Sequence, residues 1–157
     1  MNGGDSLTKL SKSIEIEASP EKVFAFLLDE EKSNEATKGF SQFKYTSKGP
    51  VGAGTTQHYV TGEVAGSKGS RMEFDVEMTE FIENKKLSSH TIGASKFKGA
   101  TTFTLEPTAK GTKLTMSMDY KLPYSLLGQL IDKVSVHKQM EKGISDSLEN
   151  GKKILEA

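Results

Sequence analysis

The sequence predicts an α+β fold: a seven-strand antiparallel sheet carrying one long C-terminal helix, with two short helices after the first strand. Three observations predict it. From Tyr124 to Leu155, the residues Leu126, Leu130, Val134, His137, Met140, Ile144, Leu148, Gly151 and Leu155 recur at steps of three and four, the spacing of one helix face. Before it, from Ser13 to Leu122, stretches alternate apolar and polar as half-buried strands do, and turn residues recur between them. Between the first two strands lies Ser19-Pro20-Glu21, a capping serine, a proline at the first helical position and a first-turn acid, which together start a helix.

Each element follows in order. Ser13-Ile-Glu-Ile-Glu-Ala18 reads as a strand with Ile14 and Ile16 inward, and the first ten residues read as a loose tail before a single domain of residues 11–157. The helix opened by Pro20 buries Val23, Phe24, Leu27 and Leu28, and a second spans Glu30 to Thr37. Gly39 ends the helical region, and Phe40, Phe43 and Tyr45 open the second strand. Five turns then divide a meander: Gly49 to Gly54, Gly66 to Gly69, Glu83 to Lys86, Gly93 to Ser95, and Ala109 to Gly111. The clearest strand is Arg71 to Thr79, in which Met72, Phe74, Val76 and Met78 alternate with Arg71, Glu73, Asp75 and Glu77. In Lys113 to Leu122 the face of Leu114, Met116, Met118 and Tyr120 alternates with polar residues in the same way. The last helix would run on the order of 50 Å if unbroken. A helix this polar owes most of its stability to laying its stripe on the sheet. Gly151 falls on that stripe and reads as a place of close approach to the sheet, and Gly143 as a bend.

Bulk properties limit the partners. In 157 residues, 21 Lys and Arg balance 21 Asp and Glu, so no net field draws the chain to nucleic acid or an anionic membrane. Without cysteine there are no disulfides, thiolate metal sites or cysteine nucleophile, which fits a reducing compartment. No apolar run reaches membrane-spanning length and the start lacks a signal-peptide core, so a cytoplasmic protein with no integral membrane association is expected.

Three stretches, Ser13 to Phe24, Gly49-Pro-Val-Gly-Ala-Gly-Thr55, and Leu122-Pro-Tyr-Ser-Leu-Leu-Gly128 leading into the last helix, together with the element order, resemble the START-like (SRPBCC) superfamily. Its helix-grip fold serves polyketide cyclase/dehydrase-like proteins, lipid-transfer domains and birch-pollen-type plant allergens. The resemblance implies a strongly curved sheet wrapped around the long helix, with a cavity where the two do not meet. Met72, Phe74, Val76, Met78, Phe103, Leu105, Met116, Met118 and Tyr120 would face inward, and Val134 and His137 would face them from the helix. Methionines suit an adaptable apolar pocket, because the unbranched thioether fills irregular space. Core filling is the bland alternative for each of them.

On Thr55 to Ala65 periodicity leaves the parity open, since Tyr59 and Val60 compete for the inside. The resemblance puts a large inward residue two positions after Gly54-Thr55, which is Gln57, with Tyr59 and Thr61 following it. The alternative turns Val60 and Val64 inward. His58 and His90 read as outward, while His137 lies on the apolar stripe with Glu141 one turn on to pair with it. The loop from Gly49 to Gly54 lacks the third glycine of a dinucleotide fingerprint, whose place Gln57 takes, and no helix follows it, so it reads as a hairpin turn and not a phosphate cradle.

No nucleophile motif and no zinc-type spacing is present, so neither catalytic residues, a metal nor a cofactor is assigned. The reading that follows is a hydrophobic small molecule, such as a lipid, isoprenoid or polyketide-like compound, bound between sheet and helix. One alternative is a cyclase or dehydratase using His137, Tyr59 and Tyr120 as acid/base groups. Another is a co-chaperone-like interaction module using the outer face of the sheet.

Overall fold

Consecutive strands on opposite edges of one sheet determine the shape of this molecule. The computed structural model describes residues 8–62, 71–94, 97–121 and 133–157, the first three of the last segment by backbone only. Its strands are β1 (Thr8–Ile16), β2 (Ser41–Tyr45), β3 (Thr56–Thr61), β4 (Met72–Ile82), β5 (Lys86–Ile92), β6 (Lys98–Pro107) and β7 (Thr112–Lys121). All neighbours pair antiparallel, in the order β1-β7-β6-β5-β4-β3-β2. The chain crosses from the β1 edge to the β2 edge through α1 (Pro20–Leu28) and α2 (Glu30–Ala36), and the C-terminal helix α3 (Lys133–Glu156) packs against β1, α1 and α2. The result is a curled half-barrel with the three described helices over its concave face.

Local chemistry explains the helix starts. Ser19 caps α1, its hydroxyl accepting from the Lys22 amide at 3.3 Å, and Pro20 takes the first helical position. Asp29 caps α2 in the same way, accepting from the Lys32 amide at 2.9 Å. α2 and α3 then cover the sheet's free edges, which would otherwise be templates for pairing with another chain. Asn34 grips Phe43 of β2 from both sides, its amide donating to the carbonyl and its oxygen accepting from the N–H, each at 2.9 Å. At the other edge Lys152 donates to the Glu15 carbonyl at 2.8 Å, and the Glu17 N–H donates to Glu156 at 2.7 Å.

One boundary differs from expectation. β1 starts at Thr8, inside the expected tail of residues 1–10, and Leu10 is buried. Lys12 hid this continuation: it shares the inward parity of Leu10 and Ile14, and its ammonium is satisfied by Glu141 of α3 at 3.2 Å. α3 is described over 24 residues, about 36 Å, and ends at Glu156, next to the expected Leu155. The expected helical residues from Tyr124 to Asp132 lie outside the described residues, as does the turn from Gly66 to Gly69. A register shift between Met78 and Glu80 marks a β-bulge that lets β4 bend and returns Phe81 to the inside, where its ring meets Phe24 edge-on at 5.2 Å.

The buried stripe of α3 also differs from the expected one. It runs through Val136, Met140, Ile144, Leu148 and Gly151. Residues four apart drift slowly around a helix, so going back four from Met140 reaches buried Val136, whereas going back three reaches half-buried His137. Gly151 approaches the Phe26 ring of α1, not the sheet, and Gly143 gives room to Phe40.

Among the described residues no helix is long and apolar enough to cross a membrane, which leaves β-barrels aside. The outer face of β3 and β4 is charged. His58 lies between two carboxylates, Nδ1 at 2.8 Å from Asp75 and Nε2 at 3.0 Å from Glu73, and His90 stands 3.9 Å from Glu77, so both histidines point outward as expected. The bonds to Asp75 and then Glu73 hold the His58 pKa above its ordinary value. A raised folded pKa contributes stability that is fully present below about pH 6.5 and is lost as pH rises through the folded value. Exposure keeps this small, about 0 to 1 kcal/mol. In an NMR titration His58 is expected to protonate at higher pH than free histidine, and Asp75→Asn to bring it back toward the free value.

Candidate functional site

The inward side chains of the sheet, α1, α2 and α3 enclose a cavity of about 200 Å³. That is far above the roughly 10–15 Å³ that admits one water. Antiparallel register builds its floor. Phe43 lies opposite Tyr59 and Tyr59 opposite Phe74, so the three rings stack at centroid separations of 5.5 and 5.6 Å, the second pair tilted by only 3°. Phe97, just before β6, extends the row to 4.8 Å from Phe74, its ring lying over Gly99 where a side chain would crowd it.

The next two rows along the strands are mixed. Tyr45, Gln57 and Val76 are mutual neighbours across β2, β3 and β4, and Met78, Ser89, Thr101 and Met118 run across β4 to β7. Parity on β3 is thereby settled: Gln57 is 4% exposed, and with Tyr59 and Thr61 it borders the cavity. Burial pushes the Tyr59 hydroxyl pKa up. Burial, then Glu30 and Asp29, push Tyr45 up to about 12, and its hydroxyl donates to the Leu28 carbonyl at 2.6 Å.

Of the residues expected to line a pocket, the structure brings together Gln57, Tyr59, Met72, Phe74, Val76, Met78, Phe103, Met116 and Met118. Three stand apart. Tyr120 is inward as expected but belongs to the core, stacked behind Phe97 at 6.4 Å and directly opposite Thr8. His137 lies outside the cavity wall, because the helix presents Met140, Ile144 and Leu148 there. Its expected partner Glu141 is taken by Lys12, and its buried Nδ1 finds no partner among the described residues. The Val134 side chain lies outside the described residues.

The wall has members that the sequence did not single out. Ser89 and Thr101 follow from strand parity once Leu87 and Phe103 are inward. Phe26 lies on α1, Ser33 on α2 and Ser41 at the start of β2, while Thr37, Phe40 and Phe97 come from connections that carry no periodic signal. Taken together, the described wall contains thioethers, aromatic rings, aliphatic side chains, hydroxyls and the amides of Gln57 and Gln139, and none of its side chains is Asp, Glu, His, Lys or Arg. Nor, among the described residues, do three His, Asp or Glu side chains converge as metal ligands would.

Comparison with solved structures identifies the scaffold. TTHA0849 from Thermus thermophilus superposes with a TM-score of 0.74 at 19% identity, covering 94% of this chain and 95% of that one. The Zhui aromatase/cyclase from a Streptomyces species gives 0.74 at 10% identity, with 96% and 94% covered. Ara h 8.0201 gives 0.67 at 13% identity, with 96% and 98% covered. At these identities the likeness is one of fold, the helix-grip architecture of curled sheet and long helix. No curated protein sequence matches the chain. A family model described as polyketide cyclase/dehydrase and lipid transport, however, matches it over residues 8–156, and the chain therefore belongs to that family.

Proposed function

We propose that this protein binds and carries an uncharged, largely apolar small molecule, of lipid, isoprenoid or polyketide-like type, in the cavity between sheet and helices. The carrying observation is the chemistry of the wall: methionines and stacked rings, neutral hydroxyls and amides, and no formal charge among the described side chains. A ligand charge buried there would lose its hydration without an ionic partner, at a cost of several kcal/mol. Buried Gln57 would give a carbonyl or hydroxyl on the ligand a hydrogen bond that water otherwise supplies.

The same wall favours carriage over the cyclase or dehydratase alternative. Acid/base catalysis works best with a group titrating near the working pH. The wall's described titratable group is Tyr59, which burial drives away from neutrality, and His137 stands elsewhere. For an interaction module, a partner patch on the outer face would need exposed apolar area. Among the described residues Ile82 is the one large apolar side chain that is exposed.

The neutral dye N-phenyl-1-naphthylamine is expected to brighten on binding the folded protein and to be displaced by dodecanol at lower concentration than by dodecanoate at pH 8. Native mass spectrometry of protein purified from its source should retain an apolar ligand. Absence of both dye binding and a retained ligand mass would overturn the reading.

A further inference from the structure

Resting on the proposal that the cavity holds a ligand, we infer that Phe40, seated against Gly143, is the residue that sets the width of ligand the cavity admits. Phe40 borders the cavity, and its ring also meets α3 at Gly143. A Cβ at Gly143 would overlap Cδ1 and Cε1 of that ring outright and lie 2.9 Å from its Cγ. The glycine is therefore a seat: it lets the ring sink into the helix surface and leaves the space beside it to the cavity.

The backbone behind Phe40 cannot retreat. Its N–H donates to the Thr37 carbonyl at 2.8 Å, and its carbonyl accepts from the Gly62 N–H at 2.9 Å. Gly62 lies so close that a Cβ there would come within 2.7 Å of the Gly39 carbonyl oxygen. Gly39 itself holds φ at +85°, which side-chain-bearing residues rarely adopt. With the main chain fixed on that side, a methyl group at residue 143 can be accommodated only by swinging the ring away from the helix, into the cavity. Phe40 is a specificity residue with its position set from α3, and a change at Gly143, which does not itself border the cavity, alters ligand choice through it.

The test is a double-mutant cycle read with two probes, wide N-phenyl-1-naphthylamine by direct fluorescence and narrow dodecanol by competition. Gly143→Ala is expected to weaken the wide probe about tenfold, the order expected for one methyl's worth of overpacking, and the narrow probe at most about twofold. Phe40→Ala is expected to shift the ratio of affinities toward the wide probe. The double variant should match Phe40→Ala alone within about twofold, because alanine leaves no Cγ, Cδ or Cε for the methyl to meet. Gly143→Ala weakening both probes equally, Phe40→Ala leaving the ratio unchanged, or a double variant showing the sum of the single effects would each overturn the inference while leaving ligand binding standing. A wild-type protein that binds neither probe would overturn the binding proposal, and this inference with it. If Gly143→Ala fails to fold, the ratio in Phe40→Ala still decides.

Discussion

Met116→Trp is expected to weaken N-phenyl-1-naphthylamine binding about a hundredfold while the protein stays folded. Met116 sits mid-strand on β7, opposite Phe103 on one side and Lys12 on the other, half-buried with its thioether on the cavity wall. An indole there takes a large share of about 200 Å³. The cavity gives it somewhere to go, so the cost falls on the ligand instead of the core, and overpacking of about 1–3 kcal/mol against the ligand corresponds to roughly ten- to a hundredfold in affinity. The chain contains no tryptophan, so the emission of the introduced indole reports whether the ring is dry. Blue-shifted emission with an unchanged urea midpoint and full dye affinity would mean that the dye binds elsewhere, and would sink the cavity reading.

How much of this site was legible in the sequence depends on where each residue stands. Met72, Phe74, Val76 and Met78 were readable because a strand has a period of two and both faces of β4 kept to it. On β3 both faces hold large residues, so periodicity could not separate Tyr59 from Val60. What separates them is tertiary: Tyr59 completes a ring stack with Phe43 and Phe74 that exists only after β2, β3 and β4 pair. His137 was misplaced for a helical reason. Steps of three and four both look like a stripe, and only the neighbour it packs on decides that Val136 takes the buried side. Phe40 and Phe97 sit outside regular elements, and their seats, Gly143 and Gly99, lie far along the chain or on a following strand. Local sequence holds no information on such pairs. Lys12 taught the converse lesson, since an inward cation broke the apolar alternation and concealed the strand residues from Thr8 to Lys12, whose pairing with β7 is regular.

Gly111→Ala should carry the largest stability cost of any methyl-sized change considered for this chain. Gly111 lies in the β6–β7 turn against the link between β1 and α1, where an added Cβ would overlap the Ile16 carbonyl oxygen, lie 2.7 Å from the Ala18 N and 2.9 Å from the Ala18 O. All three are main-chain atoms, so no side-chain rotamer can relieve the clash. The turn has no freedom either: the Thr108 N–H donates to the Gly111 carbonyl at 2.9 Å, the Gly111 N–H donates to the Thr108 hydroxyl at 3.0 Å, and fully buried Thr112 donates to the Ala18 carbonyl at 2.7 Å. Relieving the overlap means separating β1 from β7 at the point where Ile16 pairs with Thr112, with loss of packing around Ile16, one of the most completely buried side chains. A cost of about 3 kcal/mol or more is expected, the upper range for overpacking. Gly52→Ala is the matched control, since its Cβ would meet nothing within 4 Å, and it should stay within about 0.5 kcal/mol of wild type. Because the same link positions α1, whose Phe26 and Leu27 border the cavity, dye binding by Gly111→Ala should fall in step with unfolding as urea rises. Equal urea midpoints for the two glycine variants would refute the close approach on which the argument rests.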